Sequence, residues 1–204
     1  SDEDVLGLEP GAHDLVIHSL SLHWSNDIVG QLVQCRRALK PDGLFIATMF
    51  GGQTLHQLRS ALAEAEIAQS GGLSPRVAPM GEVRDLGGLL QRAGFALPVA
   101  DVTPYDVSYQ SPLHLMKELR AMGEGNALSD RIKHFTPRKV ILEAANSYFE
   151  NFGTEDGRVP ATFEIVTLTG WAPSDSQPKP LRPGSAKERL ATALGASEHK
   201  IKGS

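Results

Sequence analysis

Residues 14–50 constrain the fold of this chain more than any other stretch. Residues 14–18 are apolar and rich in β-formers, as expected of a strand buried in a parallel sheet. A helix is predicted next, because an apolar stripe recurs at helical spacing, at Ile28, Leu32, Cys35 and Leu39. Residues 40–43 contain a proline and a glycine, which end this helix, and residues 44–50 form a second apolar run. The length of this strand–helix–strand unit is typical of a crossover between parallel strands, so we predict an α/β fold.

Polar residues predict where the helices begin. The first helix is expected to be capped by Ser25 or Asn26, with Asp27 at the positive end of the helix dipole. Two later helices are expected to open at a hydroxyl residue followed by proline, at Ser111 and Thr136, and to run to about residues 122 and 152. The remaining predicted elements are helices over residues 54–69 and 82–93 and strands over residues 96–102 and 161–171.

Composition excludes several kinds of site and partner. Cys35 is the only cysteine, so an internal disulfide and a cysteine-cluster zinc site are ruled out, and we expect no metal. The formal net charge of −4 gives no reason to expect nucleic acid, and the basic residues within 131–139 are interpreted as a solvated helix face. No apolar run approaches the roughly 20 residues of a membrane helix. We therefore expect a location in the bacterial cytoplasm or, in a eukaryote, the mitochondrial matrix.

Several motifs resemble those of class I S-adenosylmethionine (SAM)-dependent methyltransferases. Residues 39–43, Leu-Lys-Pro-Asp-Gly, resemble the phrase that joins strands four and five of that family, and residues 14–16 resemble its fourth strand. Residues 22–24, Leu-His-Trp, resemble a turn of the branch that contains malonyl-carrier-protein methyltransferases. More distinctive similarity, to the methyltransferase-like assembly factor of respiratory complex I and its bacterial relatives, is carried by residues 49–55, 85–87, 92–95 and 159–162.

The resemblance implies a seven-stranded Rossmann-like sheet in the order 3-2-1-4-5-7-6 with the last strand antiparallel. Residues 15–18, 44–50, 96–102 and 161–171 would be strands four, five, six and seven. A helical lid, about residues 104–157, would be inserted before strand seven. Residues 1–171 would then be the carboxyl-terminal part of a methyltransferase domain, an incomplete form of the fold. Residues 172–204 are proline-rich and predict an extended tail with a short helix over 185–194.

The glycine-rich turn with which this family holds its cofactor does not occur in the sequence. No G-x-G-x-x-G is found, and the family's acidic residue for the ribose hydroxyls has no counterpart. The chain is therefore interpreted as a piece of a longer protein that would be inactive by itself. Strand four would form an exposed edge, and an edge of that kind can pair with a second copy to give a homodimer.

Candidate site residues follow from the rule that ligands bind beyond the carboxyl ends of the strands in open α/β sheets. His23 is the candidate catalytic base, since histidine titrates near neutral pH. The resemblance implies SAM-binding roles for Asp2, Glu3, His18, Ser19, Leu20 and Trp24. The substrate-side candidates are Phe50, Gly51, Tyr105, Arg120 and Tyr148. A purely structural role is the alternative for these residues: a solvated terminus for the two acidic ones, and core or hydrogen-bonded positions for the histidines and the aromatic residues.

Three functions stay open on the sequence. The first is methyl transfer from SAM to an unknown acceptor, in which the enzyme mainly positions and desolvates the reactants. The second, implied by the complex I branch, is hydroxylation of a protein arginine. The third is a non-catalytic binding module that assists assembly. A small acidic substrate would favour a closed pocket with an inward arginine such as Arg120, whereas a protein substrate would favour an open face of mixed charge.

Overall fold

The computed structural model describes residues 4–178 and 194–195, which fall into two units, Ser1–Pro173 and Ser174–Ser204. In the second unit, the hydroxyls of Ser174 and Ser176 are hydrogen-bonded at 2.7 Å. All of the helix predicted over 185–194 except Leu194 lies outside the described residues. Asp2 and Glu3 lie outside them as well.

The described part of the first unit contains four strands, five α-helices and one short 3-10 helix, Leu22–Trp24. The strands are β1 (His13–Ser19), β2 (Leu39–Phe50), β3 (Ala96–Tyr109) and β4 (Val159–Trp171). The helices are α1 (Ile28–Ala38), α2 (His56–Ser70), α3 (Val83–Arg92), α4 (Pro112–Ala121) and α5 (Arg138–Phe152). None of the described helices is both long enough and apolar enough to cross a lipid bilayer.

The four strands form one sheet in the order β1-β2-β4-β3. β1 and β2 are parallel, as the strand–helix–strand unit predicts, and β4 is antiparallel to both of its neighbours. One row across the sheet joins Ile17, Ile46, Thr169 and Val99. This arrangement confirms the predicted α/β fold and the strand order 4-5-7-6 with strand seven antiparallel.

Two of the predicted helix caps are wrong. The side chain of Asp27 caps α1 by accepting a hydrogen bond from the Gly30 amide at 2.8 Å. Ser25 cannot take that role because its hydroxyl donates to Asp4 at 3.0 Å. At α5 the hydroxyl of Thr136 instead accepts a hydrogen bond from Arg76, and the helix has no side-chain cap.

The cap predicted at Ser111 is confirmed, because its hydroxyl accepts a hydrogen bond from the His114 amide at 3.1 Å. β3 is longer than its sequence predicts and runs on to Tyr109, which pairs with Val159. The strand contains two prolines, Pro98 and Pro104, which are tolerated because β3 lies at the edge of the sheet.

Two separate clusters of buried side chains hold these elements together. The first lies between α1, α3 and one face of the sheet and contains Phe45, Met49 and Leu168. The second joins α2, α4 and α5 to the ends of β3 and β4 around the fully buried Tyr148 and Ala161. Since α4 and α5 follow β3 and precede β4, the second cluster fixes the helical insertion against the sheet.

Candidate functional site

A cavity of about 880 Å³ opens beyond the carboxyl ends of the parallel strands β1 and β2. Leu20, one residue after β1, and Phe50, the last residue of β2, form its base. Its wall also includes residues 76–80, residues 124–129 and the side chains of Trp24, Thr54, Tyr109 and Phe163. The cavity therefore lies where ligands bind in open α/β sheets.

His23 is the most unusual side chain of this cavity. Its side chain is 7 % exposed, and neither ring nitrogen has a hydrogen-bond partner in the described structure. The rings of Phe50 and Trp24 lie 5.0 Å and 5.7 Å from its centroid. Because buried polar nitrogens are usually paired, this histidine is poised to bond to a molecule in the cavity.

The pKa of His23 is lowered below its ordinary value, chiefly because burial disfavours the imidazolium. The carboxylate of Glu124, whose Oε2 lies 3.9 Å from His23 Nε2, opposes this effect. His18 is the other ionisable neighbour and also lowers the pKa. His23 is consequently neutral at pH 7 and can accept a proton.

Among the described residues that line the cavity, Arg76 and Glu124 are charged, and the charge of Arg76 is compensated by a neighbouring carboxylate. Arg76 donates from Nε to Glu66 at 2.6 Å, and a second nitrogen of its guanidinium also contacts that carboxylate. Burial raises the pKa of Glu66, but the hydrogen bonds from Ser74 and Arg76 together outweigh that effect and leave the pKa below its ordinary value. Within the part of the chain that the structure describes, the carboxylate of Glu124 is paired with no cation other than the neutral His23, so the described lining carries a net negative charge.

Two segments that form the outer wall are tied to each other. We name residues 71–82 the first wall segment and residues 123–137 the second. Arg76 of the first donates to the Thr136 hydroxyl at 2.6 Å, and Asn126 of the second donates to the Pro75 carbonyl at 2.7 Å. Both contacts join residues that are distant in the sequence. The wall is therefore held by side-chain hydrogen bonds between two irregular segments, not by a helix or a strand.

Two leucines of the wall have left-handed backbone conformations. Leu20 has φ 46° and Leu55 has φ 54°, a region that a leucine rarely adopts. The amide of Leu20 donates to the Thr48 carbonyl at 2.9 Å, and that of Leu55 to the Thr162 carbonyl at 2.7 Å. Bonds to the sheet thus hold strained backbone just after β1 and just before α2, where both residues border the cavity, as is common at functional sites.

The structure brings four of the predicted site residues together at the cavity: Leu20, His23, Trp24 and Phe50. Two other predicted residues near β1 lie outside its wall. His18 is hydrogen-bonded to Gln31 at 3.1 Å and to Ser21 at 3.3 Å, and Ser19 is exposed to solvent.

The other substrate-side candidates also lie away from the cavity. Tyr105 is 55 % exposed on the edge strand, and Arg120 lies on the exposed face of α4. Tyr148 is fully buried, and its hydroxyl donates to the Pro160 carbonyl at 2.6 Å. Gly51 is buried where a Cβ would collide with the side chains of Glu164 and Val166, so its role is one of packing.

Sequence reasoning missed Arg76 and Glu124, which dominate the charge of the cavity. Arg76 lies in an irregular stretch between two prolines, and no periodic pattern places it. Glu124 is flanked by two glycines in the loop between two predicted helices. Its isolated charge in that loop is the one feature of the sequence that could have indicated a site residue. Within residues 4–178 and 194–195, no group of three side chains is arranged to hold a metal ion.

Comparison with known proteins agrees with the α/β fold. A family profile for a methyltransferase domain matches residues 1–47. A solved structure from Bacillus halodurans, assigned as a methyltransferase, shares the fold with a TM-score of 0.51 at 14% identity, covering 85% of this chain and 76% of that one.

Curated relatives extend the match over nearly the whole chain. The mitochondrial arginine-hydroxylase NDUFAF5 of Danio rerio is 45% identical over 94% of this chain and 59% of its own length. The malonyl-[acyl-carrier protein] O-methyltransferase of Nitrosospira multiformis is 34% identical over 85% of this chain and 54% of its own length. The chain thus spans little more than half the length of these relatives. The chain is therefore similar in sequence to these curated proteins over most of its own length, and it shares the fold of class I methyltransferases.

Proposed function

We propose that the protein containing this chain binds SAM and modifies a basic side chain of another protein in the cavity beyond β1 and β2. The observation that carries the proposal is the charge of that cavity: Glu124 keeps its charge, whereas Arg76 is neutralised by Glu66. A carboxylate in a cavity that the aromatic rings of Trp24 and Phe50 also line is suited to an ammonium or guanidinium group.

The residues at the base of the cavity fit one side of the cofactor. SAM supplies a methyl group on a positively charged sulfur, which is activated without help from the protein. Leu20 would border its methionine part, and Trp24 and Phe50 offer aromatic faces to its positive charge. The glycine turn for the adenosine part does not occur in the 204 residues, so we expect tight binding to need additional sequence.

His23 is suited to take the proton that a nitrogen acceptor loses. A bound SAM would supply the methyl group and keep the electron pair of the broken sulfur–carbon bond, and the nitrogen that gained the methyl group would have to lose a proton. The neutral imidazole accepts the acceptor's proton, and Glu124, 3.9 Å away, stabilises the imidazolium that forms. The buried position of His23 excludes water from this exchange.

An acidic small-molecule acceptor is disfavoured by the same charges. Arg120, the arginine expected to recognise such a substrate, is exposed on α4 and does not line the cavity. Arg76 does line it, but its guanidinium is engaged by Glu66 and Thr136. The protein therefore differs in charge from what a malonyl-type acceptor requires, although relatives of that activity are 31–34% identical to it.

Arginine hydroxylation is the second candidate, because five relatives that are 40–45% identical carry that name. The negative cavity suits a guanidinium equally well in either reaction. Hydroxylation inserts an oxygen atom and so needs an oxidant from outside this chain. The same relatives are mitochondrial, and we extend that location to this protein as part of the proposal.

Calorimetric titration of SAM tests the cofactor, with this chain compared with a form extended upstream to the length of the relatives. We expect tight binding only to the extended form. Binding to neither form would overturn the enzymatic proposal and leave a non-catalytic assembly module.

The acceptor is tested on the extended form with arginyl and lysyl peptides, SAM and mass spectrometry. A gain of one methylene identifies methyl transfer, a gain of one oxygen identifies hydroxylation, and no gain with any basic peptide contradicts the proposal.

We expect His23→Gln to lower kcat by about a hundredfold. We expect Glu124→Gln to raise KM by about tenfold, because it removes the only uncompensated charge of the cavity. The exposed Glu150→Gln is the matched control.

A further inference from the structure

We propose that residues 131–139, named the basic segment, bind an acidic stretch of the protein that carries the acceptor side chain. This inference rests on the proposed function in one respect, which is that the acceptor belongs to a protein. It adds the chemistry by which that partner is recognised, at a surface outside the cavity.

The basic segment concentrates positive charge in a chain whose formal net charge is −4. It contains no acidic residue, and its five basic residues are Arg131, Lys133, His134, Arg138 and Lys139. All five are exposed, and none forms an ion pair within the described structure. Within the described residues the segment is thus a positive patch without an ion pair. It is solvated, as its sequence predicts, but only Arg138 and Lys139 lie on a helix.

Phe135 lies in the middle of this patch and is 99 % exposed. A phenylalanine side chain in water forgoes about 2 kcal/mol of burial free energy. Exposed aromatic residues surrounded by cations are typical anchors of protein interfaces, because the ring is buried and the charges form the rim.

The start of α5 shows that local stability does not explain these charges. Arg138 and Lys139 are its first two residues, at the positive end of the helix dipole, where cations are unfavourable. The first turn contains no acidic residue, and no side chain caps the helix. Residues that break a local rule in this way are more often retained for binding than for folding.

The position of the basic segment favours a partner that also reaches the cavity. Leu128 and Ser129, just before it, line the cavity wall, and Thr136 within it accepts the hydrogen bond from Arg76. The cavity is negative at Glu124 and the neighbouring segment is positive. The complementary partner is therefore a polypeptide in which a basic acceptor residue is followed or preceded by acidic residues.

An anionic lipid surface fits these observations less well. A flat negative surface would repel a chain of net charge −4, whereas a short acidic stretch contacts only the positive patch. A single exposed aromatic ring also gives little insertion into a bilayer, because stable anchoring requires a larger apolar area.

Fluorescence anisotropy of labelled peptides, with the 204-residue chain, tests the proposal. One peptide carries an arginine beside a run of aspartate and glutamate, and the second has asparagine and glutamine in place of the acidic residues. We expect the acidic peptide to bind at least about tenfold more tightly. We expect the triple variant Lys133→Gln, Arg138→Gln, Lys139→Gln to weaken that binding by about tenfold, and Phe135→Ser to weaken it by a similar factor.

The matched control removes three exposed cations elsewhere, with Arg84→Gln, Arg92→Gln and Lys117→Gln. Equal weakening by the control and the test variant would overturn the proposal, because it would show a nonspecific effect of net charge. Equal binding of the two peptides would overturn it as well. Binding to phosphatidylserine vesicles but not to the acidic peptide would replace the polypeptide partner with a membrane. If the chain binds the acidic peptide but the extended form does not bind SAM, the inference about the basic segment stands and the proposed enzymatic function is wrong.

Discussion

At the scale of single residues, the site is distinguished by polar groups that the protein leaves without partners. His23 has two unpaired ring nitrogens in a nearly buried position, between two aromatic rings. By contrast, His18 has a partner for each of its ring nitrogens, although it lies only five residues away. The sequence presents one histidine near the end of β1 and another soon after it, and only their surroundings separate a candidate proton acceptor from a structural residue.

His23 is expected to make the stability of the chain depend on pH. Its pKa is lowered in the folded state, mainly by burial, so the unfolded chain binds more protons as the pH falls below about 6.5. The free energy of unfolding should therefore decrease between about pH 7 and pH 5, and His23→Gln should reduce that slope. Urea unfolding at several pH values measures it, with His134→Gln, an exposed histidine, as the control. An unchanged slope in the His23 variant would contradict the burial of a neutral imidazole.

At the scale of elements, the cavity wall depends on one buried carboxylate. Glu66 on α2 is 3 % exposed and binds both Ser74 and Arg76 of the first wall segment. Arg76 in turn binds Thr136 at the start of α5. This chain of contacts joins α2 and the first wall segment, which follows it in the sequence, to the second wall segment.

Replacing that carboxylate should loosen the wall. Glu66→Gln leaves the partly buried guanidinium of Arg76 without its counter-charge, and we expect a loss of about 3 kcal/mol in the free energy of unfolding. The pKa of Glu66 is below its ordinary value despite the opposing effect of burial, so its stabilisation is present above about pH 4.5 and is lost as the pH falls through the folded-state pKa.

Chemical denaturation at pH 7 and at pH 4 measures both effects, and Glu150→Gln serves as the exposed control. A variant as stable as the control at pH 7 would show that the ion pair is not what holds the wall.

At the scale of the whole molecule, one face of the sheet is only partly covered. Leu15, Ile17 and Val99 are 48 %, 65 % and 54 % exposed, and the last two belong to one row across the sheet. The longer relatives suggest further chain as the natural cover, and we propose that role for it. Without it, β1 presents both an open edge and apolar side chains.

The 204-residue chain is therefore expected to dimerise through β1. Ile17→Lys places a charge on the open face and should yield a monomer at concentrations where the parent chain is dimeric. Ile67→Lys, on α2 and similarly exposed at 57 %, is the matched control. Light scattering with sedimentation measures the mass. A monomeric parent chain, or equal dissociation by both variants, would rule out pairing through β1.

The sequence by itself determined the fold class and most of the elements of this protein. Apolar periodicity and the helix-ending proline and glycine of residues 40–43 predict the parallel pair β1 and β2, because these signals arise from neighbours along the chain. The structure differs in one respect, since residues 40–43 lie within β2 and the strand begins at Leu39. Family motifs supplied the antiparallel β4 between β2 and β3, which no local pattern reveals. The cap at Ser111 could be predicted because the amide that it accepts from, that of His114, is only three residues away along the chain.

Only the tertiary structure decided which side chains form the site. Arg76 and Glu124 reach the cavity from irregular segments, and Arg120 and Tyr148 point elsewhere because of how α4 and α5 pack. Thr136 has the sequence of a helix cap, yet its hydroxyl accepts a hydrogen bond from an arginine 60 residues away along the chain. Helices and strands follow from interactions between near neighbours, whereas a binding cavity is formed by contacts between distant residues. The sequence determines those distant contacts only through the fold, so local patterns in the sequence do not reveal them.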